Sequence, residues 1–320
     1  MSSKMEKQLT CSSFSESVGE QIFGTAPMWN WCICIEAPFP WQSNVLQSNF
    51  FQKHLLIDDL TWFSDNMPGL RIQAINADDN HTKDSIRVLS FKEQDNHIVK
   101  TEYLFPEFEF KKHILALING TDQQSLDIYA KKEQNTQDYL ICTHGNRDFC
   151  CGFWGYQLYK ELSESYSSES IRFWRTSHLG GHRFAPTLLS LDDARYWGRI
   201  KPEHFTGITQ KNMDQINIKK MYRGKATCSS LTDQLIEKEF FSEFKWNLDN
   251  SIITSELISH NEPYYEHLIN INNLSSPANK GTEYKVNITR KEDILRYGCT
   301  LDQTYKPEEQ YDIVSVSQIN

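Results

Sequence analysis

The chain has 320 residues, about twice the usual size of a single domain, so two or more domains are expected. Its net charge of −9 argues against nucleic acid or an anionic membrane surface as the main partner, while 39% hydrophobic and 12% aromatic residues suffice for a proper core. No apolar run is long enough to span a bilayer, and the N-terminal arm with Lys4 and Lys7 lacks an apolar signal core, which points to a cytoplasmic protein.

After the polar arm, alternation predicts a strand over residues 29–35, with Cys32 and Cys34 as small apolar thiols on its inner face. Pro38 and Pro40 end it. Val45, Leu46, Phe50, Leu55, Leu56, Leu60 and Phe63 recur at helical spacing, predicting an amphipathic helix that begins near Ser43 and stops at Met67-Pro68-Gly69. Strands follow at 70–75, 86–91 and 97–104, and a helix at 110–118 closes on Asn119-Gly120.

The next region repeats that order. Residues 138–142 read as a strand, and 152–166 as a helix with Trp154, Leu158 and Leu162 as its core stripe. Residues 171–175 read as a strand, and 184–191 with 196–200 as a hairpin across Asp192-Asp193. The first strand-helix-strand-strand-strand unit thus reads as a degenerate copy of the second that lacks ligands. Beyond residue 211, serines cap a helix carrying Leu231, Leu235, Phe240 and Phe244 on one face, strands follow at 252–259, 264–271 and 284–289, and 306–320 is expected to be loose. The fold class is α/β, divided at 1–130, 131–210 and 211–320.

Eight cysteines in a chain without a secretion signal read as metal ligands or buried thiols rather than a disulfide framework. Cys11, Cys228 and Cys299 stand alone and read as structural or incidental. The remaining three, Cys142, Cys150 and Cys151, lie in Cys142-Thr-His-Gly-Asn-Arg-Asp-Phe-Cys150-Cys151-Gly152, and two imidazoles lie in Thr176-Ser-His178-Leu-Gly-Gly-His182-Arg-Phe. Two thiols at a strand end and a helix start, with two imidazoles on a glycine-bearing turn, make a four-point set of soft and borderline ligands. Tetrahedral zinc suits such a set, but structural zinc sites usually place two to four residues between cysteines. The eight between Cys142 and Cys151 are equally compatible with an iron–sulfur cluster. A dithiol reaction of Cys150-Cys151 is the weakest reading, because adjacent cysteines make a strained disulfide.

The two motifs, together with Tyr196-Trp-Gly-Arg, Glu36-Ala-Pro-Phe-Pro-Trp41, Gly24-Thr-Ala, Cys11 and Tyr222-Arg-Gly, resemble the signature of the sucrase/ferredoxin-like family over most of the chain. The resemblance implies a thioredoxin-like ferredoxin domain at 131–210, preceded by the ligand-free copy and followed by a C-terminal α+β extension. It also implies a 2Fe-2S cluster held by Cys142, Cys151, His178 and His182. Cys151 rather than Cys150 fits the family's ligand spacing, which leaves Cys150 as a neighbouring thiol. His144, Arg147, Arg175 and Arg183 are candidates for tuning the site or for anchoring its loops.

The function so implied is one-electron transfer rather than catalysis. The paired carboxylates that glycoside hydrolysis needs are not recognisable in this sequence, so sucrase activity is not expected. An oxidised cluster on four thiolates is doubly negative, whereas two neutral imidazoles in place of two thiolates leave it uncharged and easier to reduce. An imidazole that takes up a proton with the electron makes the reduction potential pH-dependent. No Gly-x-Gly-x-x-Gly fingerprint occurs, so a separate redox partner such as a flavoprotein reductase is expected. The alternative is a zinc-stabilised structural or binding protein using the same Cys2His2 set.

Overall fold

The structure, a computed structural model, describes residues 10–77, 84–131, 135–274, 281–297 and 305–319. Cys299 and the first nine residues of the arm lie outside these. Ten strands form one mixed sheet: β1 (Trp31–Glu36), β2 (Leu70–Asn76), β3 (Ser85–Gln94), β4 (His97–Pro106), β5 (Ala130–Lys131), β6 (Gln137–Cys142), β7 (Ile171–Thr176), β8 (Leu188–Ser190), β9 (Arg195–Trp197) and β10 (Tyr222–Lys225). Their order is β10-β9-β8-β6-β7-β2-β1-β3-β4-β5.

That order contains one pattern twice. In the first half β1 lies parallel to β2 and antiparallel to β3, which pairs with β4. In the second half β6 lies parallel to β7 and antiparallel to β8, which pairs with β9. In each half helical segments make the parallel crossover, as parallel neighbours require. The halves meet where Ile75 and Asn76 of β2 pair antiparallel with Thr176 and Arg175 of β7.

Side-chain alternation explains three layers of core. All six residues of β1 are buried, so both faces of the strand are covered. Ile33 and Ile35 join Val88, Phe105 and Leu60 on the outer side of the first half. Tyr139 and Ile141 join Leu158, Phe205 and Phe241 on the outer side of the second. Between the halves, Cys32, Cys34, Leu89 and Phe91 meet Leu140, Cys142, Trp174 and Tyr196. The sheet therefore folds back about the β2–β7 pair, and Cys142 faces the seam.

The edge of that seam is charged. Arg172 of β7 donates to Asp138 of β6 (2.8 and 3.0 Å) and across the seam to Glu102 of β4 (2.7 Å). Arg87 of β3 joins Glu102 (3.1 Å) to Glu36 (3.1 Å), and Lys100 pairs with Asp138. Burial alone would raise the Glu102 carboxyl, but Arg172, Arg87 and Lys131 bring it down to about 2.

The remaining strands are β11 (Ser251–Asn261), β12 (Tyr264–Asn273), β13 (Thr282–Arg290), β14 (Ile294–Tyr297), β15 (Tyr305–Glu308) and β16 (Tyr311–Gln318). β11, β12, β13 and β16 form a second sheet in that order, packed on the outer core of the second half, and β14 pairs with β15. Among the described residues no helix is long and apolar enough to cross a membrane.

Three sequence expectations are corrected. The helix expected from Ser43 to Met67 is three pieces, a turn at Val45–Gln47 and helices at Asn49–Lys53 and Ile57–Asn66. Leu55 takes a left-handed φ of 53° and points to solvent, so the break lets Phe51, Leu56 and Leu60 reach one core from separate segments. Trp154 is 39% exposed rather than part of the core stripe, because Cys151–Gly155 forms a π-helical turn before the helix Tyr156–Tyr166 begins. The C-terminal stretch is ordered as β15 and β16. It reads as polar because β16 is an edge strand with most side chains in water.

Candidate metal centre

Cys142 is the last residue of β6. The chain then turns, and Asp148 Oδ1 accepts from the Cys150 amide (2.8 Å), capping the helical segment that follows. Glycines bring this segment against the strand end. A Cβ on Gly152 would stand 2.5 Å from the Gly145 Cα, and one on Gly155 would overlap the Cys142 carbonyl. Cys151 thereby lies beside Cys142.

The histidine loop leaves β7 and bends through Gly180 (φ 78°) and Gly181 (φ 66°), both left-handed. Arg223, on β10, clamps it. Its Nη1 donates to the Gly180 carbonyl (3.0 Å), its Nε to Thr25 Oγ1 (3.2 Å), and a Cβ on Gly181 would stand 2.6 Å from its guanidinium carbon. Burial brings the Arg223 pKa down to about 9. Arg71 Nη2 donates to the His178 carbonyl (3.0 Å), fixing the other end.

Three of the four expected ligands converge. Ligand atoms of Cys142, Cys151 and His178 lie within 4.8 Å of one another, with His178 Nδ1 4.0 and 3.9 Å from the two sulfurs. Both thiols are fully buried. Burial pushes the Cys142 thiol up, but Cys151 and His178 outweigh it and hold the group well below the ordinary thiol range. Cys151 moves the opposite way, raised by sharing that hydrogen bond and by burial.

His182 stands apart from that trio. Its ring centroid is 5.9 Å from that of His178, and its Nδ1 lies 2.9 Å from Asp148 Oδ2 and 3.1 Å from Cys11 Sγ. Cys11 Sγ lies 3.3 Å from Cys150 Sγ. The adjacent cysteines therefore serve two neighbouring groups: Cys151 joins Cys142 and His178, whereas Cys150 joins Cys11 and Asp148.

The other candidates divide by place. His144 is buried with Nε2 2.8 Å from the Gln42 carbonyl, and burial lowers its pKa. Arg147 is exposed and lines a cleft of about 450 Å³ that also contains Arg71, His144 and His178. Arg175 sits over the Phe39 and Tyr156 rings, 3.9 and 4.9 Å from their centroids. Arg183 pairs with Glu20 and donates to Glu308 (2.6 Å), anchoring its loop to both terminal segments. Sequence reasoning set Cys11 aside and passed over Asp148. An Asp two residues before a helical Cys is a capping signal, but a contact across 139 positions leaves no local trace.

Comparisons with known proteins bear on this constellation. Two curated relatives are both called altered inheritance of mitochondria protein 32. The protein from Meyerozyma guilliermondii is 30% identical over 110 residues, 32% of this chain and 39% of the relative. That from Candida glabrata is 23% identical over 144 residues, 40% of this chain and 46% of the relative. The chain thus spans less than half the length of either. No solved structure matches. A family model described as sucrase/ferredoxin-like matches residues 22–224, more than half of the chain and both ligand-bearing motifs, and the chain belongs to that family.

Proposed function

We propose that the protein is an electron carrier with a 2Fe-2S cluster on Cys142, Cys151, His178 and His182. The convergence of Cys142, Cys151 and His178 at a buried strand end carries this reading. His182 is the proposed fourth ligand, and the Asp148 Oδ2 that lies 2.9 Å from its Nδ1 leaves Nε2 for the metal. A carboxylate on the far nitrogen is the outer support that metal-bound imidazoles commonly have. When bound, the cluster supplies one-electron chemistry at a potential above that of an all-cysteine ferredoxin.

The chain's own residues do the rest. Thiols sealed in the seam exclude water, while His178 reaches the cleft shared with Arg71 and Arg147 and offers the path to a partner. An imidazole that gains a proton as the electron arrives makes the potential fall with rising pH. The strand order β7-β6-β8-β9, with a parallel first pair and two antiparallel additions, supports a thioredoxin-like reading of the second half. The matching order β2-β1-β3-β4 supports the first half as a copy without ligands. Electrons are exchanged with a separate partner such as a flavoprotein reductase, in the cytoplasm. Because the relatives' names concern mitochondria, cell fractionation is the test of that placement.

Absorption and EPR spectra of the purified protein, with iron and acid-labile sulfide assays, decide the central point. The expected result is a red-brown protein with two irons and two sulfides per chain and a rhombic signal on reduction. A colourless protein holding one zinc overturns the proposal in favour of a structural Cys2His2 site.

A further inference from the structure

The cluster of Cys11, Cys150 and Asp148 touches the proposed ligand set through His182, and neither of its cysteines is a proposed ligand. Cys11 opens the helix Cys11–Ser17, whose N-terminus is capped by Thr10. Cys150 sits at the start of the ligand-bearing helical segment. The sulfurs are 3.3 Å apart, and neither residue has any exposed surface. Buried cysteines that merely fill space are surrounded by apolar groups. Here Ala185 and Tyr297 cover one side, but polar groups reach the sulfurs as well: Asp148 is in the same group, His182 Nδ1 is 3.1 Å from Cys11 Sγ, and Ser12 Oγ is 3.6 Å from Cys150 Sγ.

We infer that Cys11 and Cys150 are a redox-active dithiol whose disulfide fastens the N-terminal helix to the cysteine loop. A covalent S–S bond is about 2 Å long, so the sulfurs need to approach by only about 1 Å. Oxidised glutathione is a sufficient oxidant. The Cys11 sulfur attacks it, forming a mixed disulfide and releasing one glutathione; the Cys150 sulfur then attacks Cys11 and releases the second. Two thiols are oxidised, one disulfide is reduced, and both protons leave on the glutathione products.

Since both sulfurs are buried, exchange proceeds through local lifting of the helix. That helix is only seven residues long. Arg199 Nη2 donates to Ser15 Oγ (2.9 Å), and the Phe14 ring packs on Tyr297 and Tyr305.

Neither Cys11 nor Cys150 is a proposed ligand, so a linked peptide is read separately from the iron and sulfide content that tests the electron-carrier reading. The protein as purified is equilibrated in glutathione buffers of graded oxidation, quenched in acid, alkylated and mapped by peptide mass spectrometry. The expected result is a Cys11–Cys150 linked peptide that rises in one two-electron transition and reverses with reduced glutathione, absent in Cys11→Ser. Any of three results overturns the inference: a Cys150 link to Cys142 or Cys151, Cys11 left as a stable glutathione adduct, or thiols that react only after a chelator strips a metal from the pocket.

Discussion

At the scale of single residues, the adjacent cysteines are separated by function because successive positions on a helical turn point in different directions. Cys151 meets Cys142 and His178, while Cys150 meets Cys11 and Asp148. Cys151→Ser is therefore expected to abolish the visible spectrum, and Cys150→Ser to leave it, as read by absorbance per iron at matched protein concentration. The reverse pattern would transfer the ligand role to Cys150. That Cys142, a cysteine of the following helix start and the histidines of the glycine turn belong to one set was legible in local signals. The choice of Cys151 over Cys150 came from the family resemblance, and the separation of His182 from the trio left no sign in the sequence. The part played by Cys11 was not legible, since only the folded chain brings residue 11 to residue 150.

Among the elements, the approach of one to another depends on the smallest side chains. Gly155→Ala places a methyl against the Cys142 carbonyl, and the helical turn must retreat. The expected cost is about 3 kcal/mol with loss of bound iron, measured by thermal unfolding and metal analysis. The periodicity of apolar residues found most strands and the helix Phe110–Asn119, but it merged three segments before β2 into one helix. Spacing of three to five residues is produced equally by one continuous stripe and by short pieces that each send a residue inward.

The charged seam belongs to this scale too, because it joins strands of both halves. The Glu102 carboxyl has a folded pKa of about 2 against an ordinary value of 4.5, so its ionised form is favoured by the fold. That contribution, on the order of 3 kcal/mol, is fully present above pH 4.5 and is lost as pH falls from there towards 2. Acid unfolding followed by tryptophan fluorescence should show this loss in the native chain. Glu102→Gln should flatten the pH dependence in that window while lowering stability at neutral pH, because Arg172 and Arg87 lose their shared carboxylate charge and one of its two acceptor oxygens becomes a donor.

For the molecule as a whole, the repeated order of strands makes two similar halves that share one seam. One half carries the thiols and imidazoles, and the other supplies Arg71, Gln42 and the apolar face that seals them. The repeat was readable from the order of elements. The folding of one sheet back on itself was not, since it depends on a two-residue pairing between β2 and β7 that carries no pattern of its own.

Arg183 ties the histidine loop to Glu20 near one end of the chain and to Glu308 near the other, and Phe14 rests on Tyr297 and Tyr305. The two ends thus form a single buckle over the redox pocket. Trimming residues beyond 304 for crystallisation, or fusing a bulky tag just ahead of residue 10, would disturb a centre that lies more than a hundred positions away in sequence. Expression designs for this family member should therefore carry their tags on long flexible spacers and keep both terminal segments intact.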